Sequence, residues 1–131
     1  MKKIIVFTLL ALLIISLGVF VIGCLSNPLR RSEERIREDI LALTPIGSSM
    51  EDVIEVIDSN EWWNWFGNIN HYSGFSSADR TTPNARVGEQ SIRILLGEYR
   101  NIFITSVVAF WGFDEDGYLI DIRIRKDVDT F

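Results

Sequence analysis

The first 22 residues constrain this chain more than any other segment. Residues 4–22 form an apolar run that only Thr8, Ser16 and Gly18 interrupt, and Lys2 and Lys3 stand directly before it. About 20 apolar residues are enough to cross a bilayer. A basic start, an apolar stretch and a small residue before the cut are also typical of a secretory signal. Both interpretations predict membrane attachment or export, so residues 1–23 are expected to be a signal peptide or membrane anchor.

The only cysteine of the chain follows this run. Cys24 is preceded by residues that resemble the lipobox of bacterial lipoproteins, namely Val21, Ile22 and Gly23. The resemblance implies cleavage before Cys24, a diacylglycerol group on its thiol and a mature protein that begins there. In the lipoproteins that this chain resembles, an aspartate directly after the lipidated cysteine signals retention in the inner membrane. This chain has Leu25 at that position, which argues against such retention. We therefore expect the extracytoplasmic face of a Gram-positive plasma membrane, or the outer membrane if the host has one.

An uncleaved transmembrane helix is the alternative for the same segment. Signal peptides usually have an apolar region of about 7–15 residues, and this one is longer. The positive-inside rule does not decide the orientation, because Arg30 and Arg31 on one side oppose Lys2 and Lys3 on the other. A single-pass protein with its domain inside the cell therefore stays open as an interpretation.

Charge and cysteine content limit what the rest of the chain can do. Without residues 1–23, Lys plus Arg falls from 13 to 11 while Asp plus Glu stays at 18, a net charge of −7. Nucleic-acid binding requires basic patches, so no nucleic-acid partner is expected. No disulfide can form within the domain, and its stability must come from one apolar core. Residues 24–30 are expected to be a tether, and residues 31–131 a single small domain.

Two amphipathic helices are predicted after the tether. In the first, Ile36, Ile40 and Leu43 form an apolar stripe, and Glu33 with Arg37 is spaced for an i, i+4 ion pair. The second is expected to open with a capping box. Ser48 and Glu51 have the spacing of that motif. Its apolar face would consist of Met50, Val53, Ile54 and Ile57, and its solvent face of Glu51, Asp52, Glu55 and Asp58.

The last forty residues alternate in the manner of β-strands. Asp116-Gly117 is typical of a hairpin turn. The strand before this turn should be covered on both sides, because both of its faces are apolar. We assign one face to Ile102, Ile104, Val108 and Phe110, and the other to Phe103, Val107, Trp111 and Phe113. After the turn, the inward residues are expected to be Tyr118, Ile120, Ile122 and Ile124, and the outward ones Asp121, Arg123 and Arg125.

In residues 91–100, Ile92, Ile94 and Leu96 alternate with Arg93 and Leu95, as in a further strand. Two helices followed by an antiparallel sheet of three to four strands make an α+β domain.

This layout resembles the SmpA/OmlA/BamE-type small lipoproteins. The resemblance lies in the lipobox, the tether and a helix opening with Gly47, Ser49 and Val53 in the family's pattern. It implies the helix–helix–sheet fold of the β-lactamase-inhibitor protein. The stretches TPIGSSMEDV, IRILLGEYR and WGFDEDGYLIDIRI are similar to those of uncharacterised small lipoproteins of Gram-positive bacteria. That second resemblance covers most of the domain and implies family membership without an activity.

The aromatic cluster at residues 62–66 and the polar segment at residues 67–90 are the best candidates for partner contact. Large aromatic side chains of this kind serve either the core or a binding surface. Residues 67–90 are rich in Gly, Ser, Asn and Thr, with a short strand expected around residues 69–72, and long connections are often functional. The predicted partner-binding residues are Trp62, Trp63, Trp65, Phe66, His71 and Tyr72.

Catalytic and metal chemistry find little support in the sequence. His71 is the only histidine and lies in the polar segment, without the residues of a nucleophile elbow. A zinc site requires several His or Cys ligands. The acidic run at 114–117 begins like a calcium loop, but Arg125 stands at its twelfth position. We expect no catalytic residues, no metal and no cofactor.

These observations favour a membrane-anchored, extracytoplasmic small lipoprotein that binds an envelope protein and is not an enzyme. The alternative from another class is a protein that binds cell-wall glycan, with or without hydrolysing it. Cell-wall sugars should quench the tryptophan fluorescence of a glycan-binding protein and leave that of a protein-binding lipoprotein unchanged.

Overall fold

The computed structural model describes residues 1–25, 27–60, 62, 67–77 and 85–129. The first element is a long helix, α1 (Lys2–Leu25). It is the one helix in the described part of the chain that is long and apolar enough to cross a membrane. Its window Lys2–Val19 has a mean hydropathy of 2.2 and none of it is buried within the protein. The expected apolar N-terminal segment is therefore a helix whose side chains are exposed over residues 2–19.

The predicted tether is in contact with the domain. Pro28–Arg30 forms a 3-10 helix, and the side chain of Asn27 caps it by accepting a hydrogen bond from Leu29 N at 3.0 Å. Leu29 packs against the main core. The domain's contacts thus begin within residues 24–30 rather than at residue 31.

Two helices follow, α2 (Glu33–Leu43) and α3 (Met50–Ser59). In α2 the buried stripe is Ile36, Ile40 and then Thr44, which lies four residues after Ile40. The expectation for Leu43 was wrong, since this side chain is 49% exposed. The helix ends at Leu43, and the i+4 position on the core face belongs to Thr44.

The predicted capping box is displaced by one residue. Ser49, not Ser48, is the N-cap of α3, and its Oγ accepts a hydrogen bond from Asp52 N at 3.1 Å. Ser48 instead donates to the carbonyl oxygen of Pro45 at 2.6 Å. The faces of α3 are as predicted, with Met50, Val53 and Ile57 buried and the acidic residues exposed.

Four antiparallel strands form the main sheet in the order β1-β4-β5-β6, which confirms the α+β fold. The strands are β1 (Asn68–Asn70), β4 (Gln90–Arg100), β5 (Ile104–Phe113) and β6 (Leu119–Val128). A two-stranded hairpin, β2 (Phe75–Ser76) with β3 (Arg86–Val87), lies within the segment predicted to be mostly loop. The expected short strand near residue 69 is β1.

The central strand β5 divides the apolar residues between two clusters. Val107, Trp111 and Phe113 lie in the main core, which α2, α3 and the inner sides of β4 and β6 complete. Val108 and Phe110 lie on the opposite face, in a smaller cluster with Phe75. The assignment of Ile102 and Phe103 to the two faces was wrong, because both residues precede the strand and are exposed.

A β-bulge changes which residues of β6 face inward. The pairing shifts between Gly112 and Phe113, so that Phe113 lies opposite Leu119 and Gly112 opposite Asp121. Leu119 is therefore buried, and the predictions that Tyr118 and Ile120 face inward were wrong. An extra residue in one strand reverses the alternation beyond it. Ile122 and Ile124 face the core as predicted.

The hairpin approaches the sheet closely at Gly112. A Cβ atom at this position would lie 2.8 Å from Cε1 of Phe75 and 3.0 Å from the carbonyl oxygen of Val87. Any larger residue would push the hairpin outward. Glycine therefore allows Phe75 to reach Phe110, with ring centroids 5.7 Å apart.

Candidate functional site

The predicted partner-binding residues do not share one environment. Trp62 lies on the helix-covered side, where its half-buried ring stacks on Trp111 with centroids 6.2 Å apart. Trp63, Trp65 and Phe66 lie outside the described residues. One face of Trp62 therefore serves the core, and a role in partner binding stays a prediction for all four.

His71 and Tyr72 lie in the turn between β1 and β2. Tyr72 is 95% exposed, and its backbone nitrogen donates to Asn70 Oδ1 at 2.9 Å. The Nδ1 atom of His71 lies 3.4 Å from Gln90 Oε1. This turn presents one exposed aromatic ring to solvent.

The lipobox residues lie in the last turns of α1. Val21, Ile22, Gly23 and Cys24 all fall within the bounds of this helix, and their side chains are outside the described part of the structure. Lipidation of Cys24 stays a prediction.

A basic surface lies on the side of the sheet away from the helices. We call it the arginine face and define it by Arg93, Arg123 and Arg125 around Phe110. Arg93 of β4 and Arg123 of β6 are both register partners of Phe110, so the three residues form one row across the sheet. The Cζ atoms of Arg93 and Arg125 lie 6.0 and 5.2 Å from the Phe110 ring centroid.

Only part of the positive charge on the arginine face is paired with a carboxylate at ion-pair distance. Arg125 pairs with Asp127 at 2.9 Å. Within the described ranges, neither Arg93 nor Arg123 has a carboxylate at ion-pair distance. A guanidinium group without a partner offers a fork of N–H donors that matches a carboxylate. The surface is thus suited to an anionic group, although the chain as a whole is acidic.

Two concavities flank this row. One of about 140 Å³ adjoins Arg93 and is lined also by Asn68, Asn70 and Ser91, with Phe75 and Phe110 at its base. A larger groove of about 520 Å³ between α2 and β6 is lined by Arg123 and by four acidic residues, Glu33, Glu34, Glu38 and Asp121. The carboxylates of α2 repel an acidic ligand from the larger groove. An anion is therefore favoured over the row itself and its Arg93 end.

The free edge of β6 is occupied by side chains of α2. Arg37 Nε donates to the carbonyl oxygen of Ile122 at 2.7 Å, and Glu33 Oε1 accepts from Lys126 N at 2.9 Å. The predicted Glu33–Arg37 ion pair was therefore wrong, since both side chains bind the edge instead. Capping of this kind prevents another strand from adding to the sheet. Partner binding by strand addition is therefore disfavoured at the β6 edge.

Chemistry beyond binding has no support among the described residues. They contain no group of three or more His, Cys, Asp or Glu side chains that could hold a metal ion. The 3.4 Å contact of His71 is to a side-chain amide, which does not orient a general base for a nucleophile.

The arginine cluster was not recognised in the sequence, although the signal was present. Arg123 and Arg125 were expected to face outward, and Arg93 to alternate with apolar residues. Only the register of β4 and β6 on β5 shows that they meet around Phe110.

Comparisons with protein-family models, with curated proteins and with solved structures gave no match for this chain.

Proposed function

We propose that this chain is a membrane-anchored, extracytoplasmic lipoprotein that acts as a non-enzymatic protein-binding module. The apolar helix α1 supports the membrane attachment, because it is exposed over its described side chains and is long enough to span a bilayer. The Cys24 position directly after the apolar run supports cleavage and lipidation. The helix–helix–sheet order supports the likeness to SmpA/OmlA/BamE-type lipoproteins, which we retain as part of the proposal.

The binding surface that we propose is the arginine face. The observation that carries it is the row Arg93–Phe110–Arg123, with two guanidinium groups that lack carboxylate partners in the described residues. An acidic segment of an envelope protein would place carboxylates on Arg93 and Arg123. Charge-assisted hydrogen bonds of this kind are about twice as strong as neutral ones.

A protein segment fits this surface better than a sugar. Phe75 and Phe110 are buried, so their ring faces are not available for stacking against a sugar. What the face presents to solvent is charge and hydrogen-bond donors. A protein segment with several carboxylates can neutralise this positive charge and accept hydrogen bonds from these donors.

Photo-crosslinking in the host cell tests the proposal. Asn68 is exposed and is the register partner of Arg93, so a photoreactive residue at this position would lie beside the bound segment. The same residue at Glu55, on the solvent face of α3, is the matched control. We expect a defined protein adduct from position 68 and none from position 55.

Charge reversal then tests the arginines themselves. Arg93→Glu with Arg123→Glu should reduce the adduct at least about tenfold, which corresponds to a loss of about 1.4 kcal/mol. Arg35→Glu, in an exposed pair with Glu38, should leave it unchanged. An adduct that survives the double reversal, or equal adducts from positions 68 and 55, would remove the arginine face as the binding surface.

A further inference from the structure

The turn between β4 and β5 carries an unusually exposed apolar side chain. We call residues 101–103 the β4–β5 tip. Ile102 is 85% exposed and Phe103 is 42% exposed. Asn101 N donates to the carbonyl oxygen of Phe103 at 3.1 Å, which closes the turn and directs both apolar residues away from the strands. Within the described part of the domain, Ile102 is almost uncovered and Phe103 is partly covered.

The tip and the adjoining end of β4 are held by contacts with Leu29 and Arg30, which follow the anchor. Arg30 Nη1 donates to Asn101 Oδ1 at 2.6 Å, and its Nη2 donates to the carbonyl oxygen of Arg100 at 2.9 Å. Leu29 packs over Gly97, where an added Cβ would lie 2.8 Å from Leu29 Cδ1. These contacts hold the end of the sheet at the point where the chain enters the domain.

Covalent distance then limits how far the tip can lie from the membrane. Arg30 is only five residues beyond Leu25, where α1 ends. A fully extended chain spans at most about 3.6 Å per residue, so these five residues reach about 18 Å. The tip therefore stays close to the place where the chain leaves the bilayer, whether α1 spans it or a lipid on Cys24 is the anchor.

Charge around the tip suits a phospholipid surface. Arg30 and Arg100 are exposed beside it, and the Tyr99 ring lies between Arg30 and Lys126, each 5.2 Å from its centroid. The acidic turn at 114–117 lies at the opposite end of the sheet, because β4, β5 and β6 form a meander. Glu98, Asp127 and Asp129 also lie at the end of the sheet nearest the membrane. The attraction to lipid is therefore assigned to Arg30 and Arg100, which adjoin the tip itself. Basic side chains are attracted to the membrane surface, and tyrosine is enriched at this depth.

We propose that the β4–β5 tip inserts Ile102 and Phe103 into the interfacial layer of the bilayer that anchors the chain. Arg30 and Arg100 contact lipid phosphates. This second contact holds the domain with one end of the sheet toward the lipid and the β5–β6 turn away from it. The inference rests on the membrane attachment in the proposed function.

Depth measurement by spin labelling tests the insertion in the full chain. A nitroxide is attached at Ile102→Cys in the unprocessed chain, where Cys24→Ser removes the other thiol and leaves α1 as the anchor. The protein is reconstituted in vesicles of phosphatidylcholine and phosphatidylglycerol. Accessibility to oxygen and to a water-soluble nickel chelate gives the depth of the label. We expect the label at 102 about 5–10 Å below the phosphates, as for apolar side chains of interfacial helices.

Two further labels separate the possible failures. Glu115→Cys, at the distant acidic turn, should be fully accessible to the nickel chelate, and Ile14→Cys should report the apolar interior if α1 is inserted. A label at 102 as accessible as that at 115, with 14 buried, overturns the tip contact alone. If the label at 14 is also in water, membrane attachment by α1 fails as well. Arg100→Glu should make the label at 102 more accessible to the nickel chelate. An unchanged accessibility would overturn the role of this arginine.

Discussion

Trp111 Nε1 donates a hydrogen bond to Thr44 Oγ1 at 3.1 Å, and both residues are buried. The same hydroxyl donates to the carbonyl oxygen of Ile40 at 2.9 Å. One side chain at the end of α2 thus satisfies the only polar atom of the largest buried side chain in the sheet. This contact joins the helical layer to β5 at the centre of the core.

Replacement of Thr44 by valine should destabilise the domain strongly for so small a change. The shape is kept, but the indole N–H of Trp111 loses its acceptor, and leaving a buried donor unsatisfied costs about 1–3 kcal/mol. Urea unfolding of the full chain in mild detergent, followed by tryptophan fluorescence, measures the loss. Thr44→Ser keeps the hydroxyl and should retain most of the stability. Equal losses for both variants would show that the methyl group, not the hydrogen bond, matters.

Trp62→Ala should lower stability much more than Tyr72→Ala. The Trp62 ring packs on Trp111, and removal of a large aromatic side chain from a core typically costs about 3–5 kcal/mol, with the lower end expected for a half-buried ring. Tyr72 is exposed, and its loss should change the unfolding free energy by less than about 0.5 kcal/mol. The two midpoints in urea provide the comparison. If Trp62→Ala leaves the stability unchanged, the ring is not required by the core and is available for partner binding.

Ser49→Ala should cost about 1 kcal/mol, as is usual for loss of an N-cap. Ser48→Ala removes only a hydrogen bond to the carbonyl oxygen of Pro45 in an exposed turn, and its effect should be smaller. Circular dichroism during thermal unfolding distinguishes the two. The reverse order would restore the capping box with Ser48 that the sequence suggested.

Arg37→Ala should promote association of the domain. Its guanidinium binds Asp121 at 2.6 Å and covers the Ile122 carbonyl on the free edge of β6. Without it, two copies can pair along this edge. Light scattering at increasing concentration should show more association than for Arg35→Ala, whose exposed pair with Glu38 covers no strand. Identical scattering would mean that Glu33 and the rest of α2 suffice to protect the edge.

The general layout could be predicted because the periodicities are strong. Met50, Val53 and Ile57 repeat at helical spacing, and all three are buried. Ile92 and Ile94 alternate at strand spacing, and both lie in the core. The turn at Asp116-Gly117 followed from residue preference, and Gly117 has a φ of 83°.

Details that depend on single-residue offsets were not predictable. Ser48 and Ser49 are equally good caps by composition, and the bridge between Ser49 and Tyr118 places the start of α3. The bulge at Ile120, next to Leu119, leaves no clear mark in a run where Leu119, Ile120 and Ile122 are all apolar. The arginine face likewise requires the register of three strands, which local patterns do not contain.

Membrane anchoring through a processed Cys24 is the central claim, and an intact mass of the protein extracted from its own membrane tests it most directly. We predict a chain that begins at Cys24 and carries diacylglycerol. The mass of all 131 residues, without a lipid and with or without Met1, would contradict it. In that case α1 would be an uncleaved transmembrane helix.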